Sequence, residues 1–186
     1  QLFLASLILF SFSFSTIVSG IGALGLIALY PWMKRITYWP QAFLGLTFNW
    51  GVFMGWTVFS AKMSLTPFIF YAAGFFWTLC YDTIYAHQDR EDDLLLGLKS
   101  TAIALGEKSY PTLSLFFLFM LLFLIAGGFA IGLKWPYNLA IGGVATHVLW
   151  QLKRLDIHNS VTCLKLFKSN HWIGFIIFVG IVLGKL

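Results

Sequence analysis

The sequence predicts an all-α, polytopic membrane helix bundle, and three observations carry that expectation. Of 186 residues, 59% are hydrophobic and 19% aromatic, while only 10% are charged; soluble domains carry roughly 25% charged residues. The apolar residues gather into runs near the ~20 residues that a bilayer-spanning helix needs. The five prolines, Pro31, Pro40, Pro67, Pro111 and Pro136, mark the ends of these runs with one exception. Proline is tolerated in a first helical turn and disrupts an interior.

Seven transmembrane helices are expected, over 2–18, 20–36, 41–60, 66–87, 111–132, 136–152 and 169–186. The first two abut, with Ser19-Gly20 as the turn between them. The second contains Pro31, the exception among the prolines, which predicts a kink near Lys34 and Arg35. The third opens behind Pro40 and carries Thr47, Asn49 and Trp50, the few polar or amphipathic groups at mid-membrane depth. These either line a cavity or make ordinary helix–helix contacts. The fourth opens at Thr66-Pro67 and runs to His87; the fifth and sixth open at Pro111 and Pro136. The sequence has no internal repeat, no low-complexity tract and no linker, so residues 1–186 form one transmembrane domain. Cys80 and Cys163 are too few for a disulfide framework, and Cys80, at the end of an apolar run, reads as a packing residue.

Charge placement sets the expected topology. When the connections are numbered alternately, one side receives Lys34, Arg35, Arg90, Lys99, Lys108, Lys153, Arg154, Lys165 and Lys168, nine of the twelve basic residues. The other receives Lys62, Lys134 and Lys185. All seven acidic residues fall on the first side, which the positive-inside rule makes cytoplasmic. The net charge of +5 is spread over short loops and forms no polar face, so the partner it implies is the lipid bilayer and not nucleic acid. The spans are almost free of charge, which argues against an intramembrane ion relay.

Five of the seven acids crowd into YDTIYAHQDREDD, residues 81–93: Asp82, Asp89, Glu91, Asp92 and Asp93. On a helix turning about 100° per residue, Asp89 and Asp93 each lie about 20° from the direction of Asp82, so the three share a face. A helix that ended after His87 would weaken that alignment but not the clustering. Carboxylates so placed repel one another unless a cation sits among them, and oxygen-only ligation suits Mg²⁺, held by one or two carboxylates plus substrate phosphates. The bland alternative is a solvated acidic turn. Lys34 and Arg35 share the same side and suit a diphosphate, or they simply anchor a helix end. Lys99, followed by Ser100 and Thr101 as possible phosphate donors, has the same two readings. His87 is near enough to support the acidic cluster from behind; His147, His158 and His171 show no ligand spacing. The tryptophans and tyrosines form interfacial belts, and some suit the stabilisation of a carbocation.

The stretch YDTIYAHQDREDD with GLKSTAIALGE resembles the second aspartate-rich motif of the 4-hydroxybenzoate polyprenyltransferases of the UbiA superfamily. YPWMKRITYWPQAFLGLTFNWG and the tail LKRLDIHNSVTCLKLFKSNHWIGFIIF are similar to segments of the same family. The resemblance implies nine transmembrane helices around a central cavity. It also implies Mg²⁺-dependent transfer of a polyprenyl group from polyprenyl diphosphate to 4-hydroxybenzoate, ortho to its hydroxyl, in ubiquinone biosynthesis. Asp89 and Asp93, with Asp82 upstream, become the metal-binding and catalytic carboxylates. Tyr81, Lys34, Arg35 and Lys99 become substrate-binding residues, with Arg35 the first candidate for the acceptor carboxylate. The implied location is a bacterial inner membrane or the mitochondrial inner membrane, with the site on the cytoplasmic or matrix face. The family's first motif, NDxxDxxxD, and its first two helices have no counterpart here, and the chain opens without Met. The expectation is an N-terminal truncation that is inactive alone. The alternatives are a related transferase with another aromatic or quinone-precursor acceptor and, in another class, a cation-binding membrane transporter.

Overall fold

The computed structural model describes residues 2–60 and 64–186. Among them the chain forms helices and turns, with no β-strand. In order these are α1 (Leu2–Phe10), α2 (Phe14–Ile36), α3 (Pro40–Phe48), α4 (Gly51–Phe59), α5 (Thr66–Gln88), α6 (Arg90–Leu95), α7 (Thr101–Leu105), a 3₁₀ turn (Gly106–Lys108), α8 (Ser109–Ala130), α9 (Trp135–Arg154) and α10 (Ser160–Lys185). Four stretches are long and apolar enough to cross a membrane by length and composition: Phe14–Ile36, Pro40–Phe59, Thr101–Ala130 and Ser160–Lys185. α5 and α9, at 23 and 20 residues, match them in length. The protein is an all-α integral membrane protein.

α5 organises the bundle, packing on α3, α8 and α10, while α9 closes against α8 and α10. The core is a set of stripes at helical spacing: Leu113, Phe117, Met120 and Leu124 on α8 face Tyr137, Ile141, Val144 and Val148 on α9. Intervals of three and four residues keep such side chains on one face. Cys163, Leu166 and Ile173 complete the core from α10. Lipid tails are as apolar as leucine, so helices in a bilayer associate through close packing and internal hydrogen bonds. Tyr137 supplies both: its hydroxyl donates to the Leu124 carbonyl at 2.8 Å, and its ring lies on Gly128, where any side chain would collide with it.

The N-terminal boundary departs from the sequence expectation. The helices do not meet at Ser19-Gly20; the break falls at Ser11–Ser13, and α2 continues through Pro31 to Ile36. The Ser11 hydroxyl folds back onto the Ile8 carbonyl at 2.7 Å, and that of Ser13 meets Thr16 Oγ1 at 3.1 Å. Local bonds of this kind compete with helix continuation. Gly20 is instead a contact inside α2, where a Cβ would stand 2.8 Å from Leu9 Cδ1, and the Ser19 carbonyl accepts the Trp50 indole N–H at 2.9 Å. A small-residue pair that reads as a turn is here a helix-packing surface. At the other end of the chain, α10 begins at Ser160 and not at 169, because the Asn159 side chain caps it by accepting the Thr162 N–H at 2.9 Å.

The two ends of the bundle are drawn together by different contacts. At one, the Lys99 N–H donates to the Lys34 carbonyl at 2.8 Å, and His158 Nε2 meets Glu107 Oε1 at 3.2 Å. At the other, Lys134 Nζ donates to the Leu186 carbonyl at 2.7 Å. Lys62 lies outside the described residues.

Candidate functional site

The site forms where α5 stops. Asp89 caps α5 and opens α6 with φ −92° and ψ 4°, so no continuous helix carries Asp82, Asp89 and Asp93 on one face. A return of the chain brings Asp93 to Lys34 on α2. After α6, Gly97 takes φ +64°, a left-handed turn that glycine adopts without strain. The Leu98 N–H then bonds the Asp93 carbonyl at 2.8 Å, and Lys99 pins the loop to the end of α2. Asp93 is thereby pressed inward to 4% exposure. Lys34 Nζ donates to its Oδ1 and Oδ2 at 3.0 and 3.3 Å. Asp82, two turns before Asp89, lies within the fields of both Lys34 and Asp89. Tyr85 shares that field, and Tyr30 lies within range of Asp82 and Tyr81.

Of the residues expected at the site, Lys34 and Asp93 pair directly, Asp82 lies in the field of Lys34 and Asp89, and Tyr81 adjoins Asp82 on α5. Arg35 adjoins Lys34 on α2 with its side chain exposed. Lys99 turns to a structural task. Its ammonium donates to the Ile36 carbonyl at 3.1 Å and sits 5.4 Å from the centre of the Tyr38 ring, closing a helix end whose carbonyls lack partners. Ser100 caps α7 by accepting the Ile103 N–H at 3.4 Å, and the Thr101 hydroxyl bonds that of Thr83 at 2.7 Å. Both hydroxyls anchor the returning chain in the core and face no open site. His87 points to α8, where Nε2 meets Ser109 Oγ at 2.8 Å.

Tyr81 leads from the charged group into a cavity of about 500 Å³ between α4, α5 and α10, walled by Asn49, Trp77, Thr78, Phe167 and Asn170. A second cavity of about 590 Å³ continues toward Phe59, Phe70, Met120 and Ile181 and shares Asn49, Val52 and Trp77 with the first. Asn49 occupies the interruption between α3 and α4. Its Nδ2 donates to the Gly45 carbonyl and to Thr78 Oγ1, both at 2.8 Å, and Gly74 leaves room for its carboxamide. Both readings of Asn49 from sequence therefore hold, cavity wall and helix contact. Sequence reasoning passed over Trp77 and Asn170, joined by a 3.0 Å bond from the indole N–H to Asn170 Oδ1. The available signal was a carboxamide inside the apolar run of α10.

Among the described residues, no group of three or more His, Cys, Asp and Glu side chains is placed to hold a metal ion. Lys34 already pairs with Asp93, while Asp82 and Asp89 make no ion pair among the described residues. Oxygen donors in that number suit Mg²⁺ only when phosphate oxygens or water complete the shell.

Residues 1–179 match the model of the UbiA prenyltransferase family. Over its whole length the chain is 46% identical to the mitochondrial 4-hydroxybenzoate polyprenyltransferase of Aedes aegypti, covering 42% of that protein. It is 48% identical to its counterpart from Homo sapiens, covering 50% of it. The chain thus spans about half the length of the curated relatives it matches. A UbiA homologue from Aeropyrum pernix K1, solved in its apo form, superposes with a TM-score of 0.74 at 25% identity over 88% of this chain and 62% of that one. A digeranylgeranylglyceryl phosphate synthase shares the fold, with a TM-score of 0.76 at 15% identity over 97% of this chain and 65% of that one.

Proposed function

This chain belongs to the UbiA prenyltransferase family, and from that premise we propose that it transfers a polyprenyl group from polyprenyl diphosphate to the ring carbon ortho to the hydroxyl of 4-hydroxybenzoate, in ubiquinone biosynthesis. The observation that carries the proposal is the Lys34–Asp93 pair, with Asp82 in the field of Lys34 and Asp89, one residue along α5 from Tyr81, which lines an apolar cavity. The names of the mitochondrial relatives support the acceptor and a mitochondrial location, and the positive-inside charge pattern supports a site on the matrix face.

Asp89 and Asp82 would hold Mg²⁺ together with diphosphate oxygens, and Asp93 would join them. When bound, the ion would draw charge from the diphosphate as it leaves. Lys34 donates hydrogen bonds to phosphate oxygens as well as to Asp93, so it offsets the remaining negative charge. The allylic C–O bond breaks with its electron pair going to the diphosphate. The acceptor's ortho carbon then forms the C–C bond, and its proton passes to an oxygen of the departed diphosphate. Tyr81, Trp77 and Phe167 present aromatic faces that stabilise the allylic cation, and the apolar walls keep water from it. Arg35 is assigned to the acceptor carboxylate through paired N–H donors, and Lys99 holds the rim in place behind Lys34.

Prenylation of 4-hydroxybenzoate in membranes from cells expressing the full-length protein that contains this chain tests this reading, with product identified by mass spectrometry. Asp89→Ala is expected to reduce turnover by about a hundredfold or more; near-normal turnover in that variant removes the site assignment. A panel of aromatic acceptors with one donor is expected to favour 4-hydroxybenzoate, and a stronger preference for another acceptor overturns that part.

A further inference from the structure

We infer that the glycine face of α4 and the Trp77 ring determine how long a prenyl tail the protein accepts, an inference that rests on the prenyl-transfer reading above. The two cavities meet at a neck formed by Asn49, Val52 and Trp77, which line both. Gly51 lines the first cavity and Gly55 the second. They stand four residues apart and therefore on one face of α4. A Cβ at either position would meet nothing within 4 Å. No packing contact demands glycine there, in contrast to Gly74, where a Cβ would collide with Asn49. Gly55 sits inside α4, where glycine weakens a helix, and Gly51 opens it; what the absent side chain provides at both is the open space of the cavities.

Trp77 is fixed across the neck. Its indole N–H is held by Asn170, whose own amide is anchored by donation to the Leu166 carbonyl at 3.0 Å. The ring stands edge-to-face on Tyr81 at 5.8 Å, and its far edge rests on Gly174, where a Cβ would come within 3.1 Å. A short tail fills the first compartment. A longer one passes the neck and gains apolar contact with Phe70, Met120 and Ile181 in the second, and burial of each further methylene strengthens binding.

Donors of two lengths, geranyl and solanesyl diphosphate, compared by kcat/KM in membranes, test the inference. Gly55→Phe is expected to lower the value for the solanesyl donor by at least about tenfold and to leave the geranyl donor unchanged. Gly51→Phe is expected to lower both, and Trp77→Phe to raise the ratio of long to short. A folded Gly55→Phe protein in which the two donors fall equally, or neither falls, overturns the inference. Gly55→Leu carries the same readout if the phenylalanine variant does not fold. Absence of product from both donors with the unsubstituted protein would count against the transferase reading instead. Quenching of tryptophan fluorescence by solanesyl diphosphate then decides the channel: binding lost in the Gly55 variant supports it, and equal binding overturns it.

Discussion

Asp93 and Lys34 are 59 positions apart, and no spacing rule connects them. What sequence reasoning recovered was that both lie on one charged side. The pairing itself depends on a left-handed glycine turning the loop after α6 back onto α2. Asp93 needs a partner because its side chain is 5% exposed while that of Lys34 remains 37% exposed. Removing one member of such a pair strands the other in a poorly solvated place. Lys34→Met and Asp93→Leu, singly and combined, are therefore expected to show a favourable coupling of about 1 kcal/mol in thermal unfolding. Additive losses would mean that the pair contributes nothing to stability. Lys99 teaches the complementary lesson. A basic residue beside an acidic motif reads as a ligand for anions, and its ammonium is bound to the Ile36 carbonyl.

At the scale of elements, the spans of α8 and α9 were legible because Pro111 and Pro136 open apolar runs of spanning length; the break between α3 and α4 was not. The end of α5 at Gln88 falls one residue from the expected His87, whereas α3 stops at Phe48 with no proline at the junction, inside a run expected to continue to residue 60. The joint between α3 and α4 relies on Asn49 reaching Thr78 across Gly74. Gly74→Ala is expected to cost about 1–3 kcal/mol, because the carboxamide has no alternative seat. Gly55→Ala, one element away and unobstructed, is expected to be neutral or to stabilise by up to about 1 kcal/mol through helix propensity. Equal melting temperatures for the Gly74 variant and the unsubstituted protein would remove this account of the joint.

For the whole molecule, the charge pattern was readable because it depends only on alternation between two ends. The shift of the first boundary to Ser11–Ser13 leaves the end of α2, and everything after it, on the same side. Cys80 and Cys163 are fully buried, so single cysteines introduced elsewhere can be labelled against a silent background. Arg154→Cys and Lys134→Cys, at opposite ends of α9, are expected to react with an impermeant maleimide from opposite faces of a sealed membrane. Reaction of both from one face would overturn the topology. The loop from Asp89 to Lys99 has one further consequence. A single residue of α2 fastens it twice: the Lys34 carbonyl receives the Lys99 N–H at the far end, and the Lys34 ammonium holds Asp93 in the middle. Leu94, Leu95 and Leu96, 55%, 85% and 72% exposed, ride on the segment between these two ties, so whatever reaches the Lys34 ammonium meets the root of that apolar edge as well.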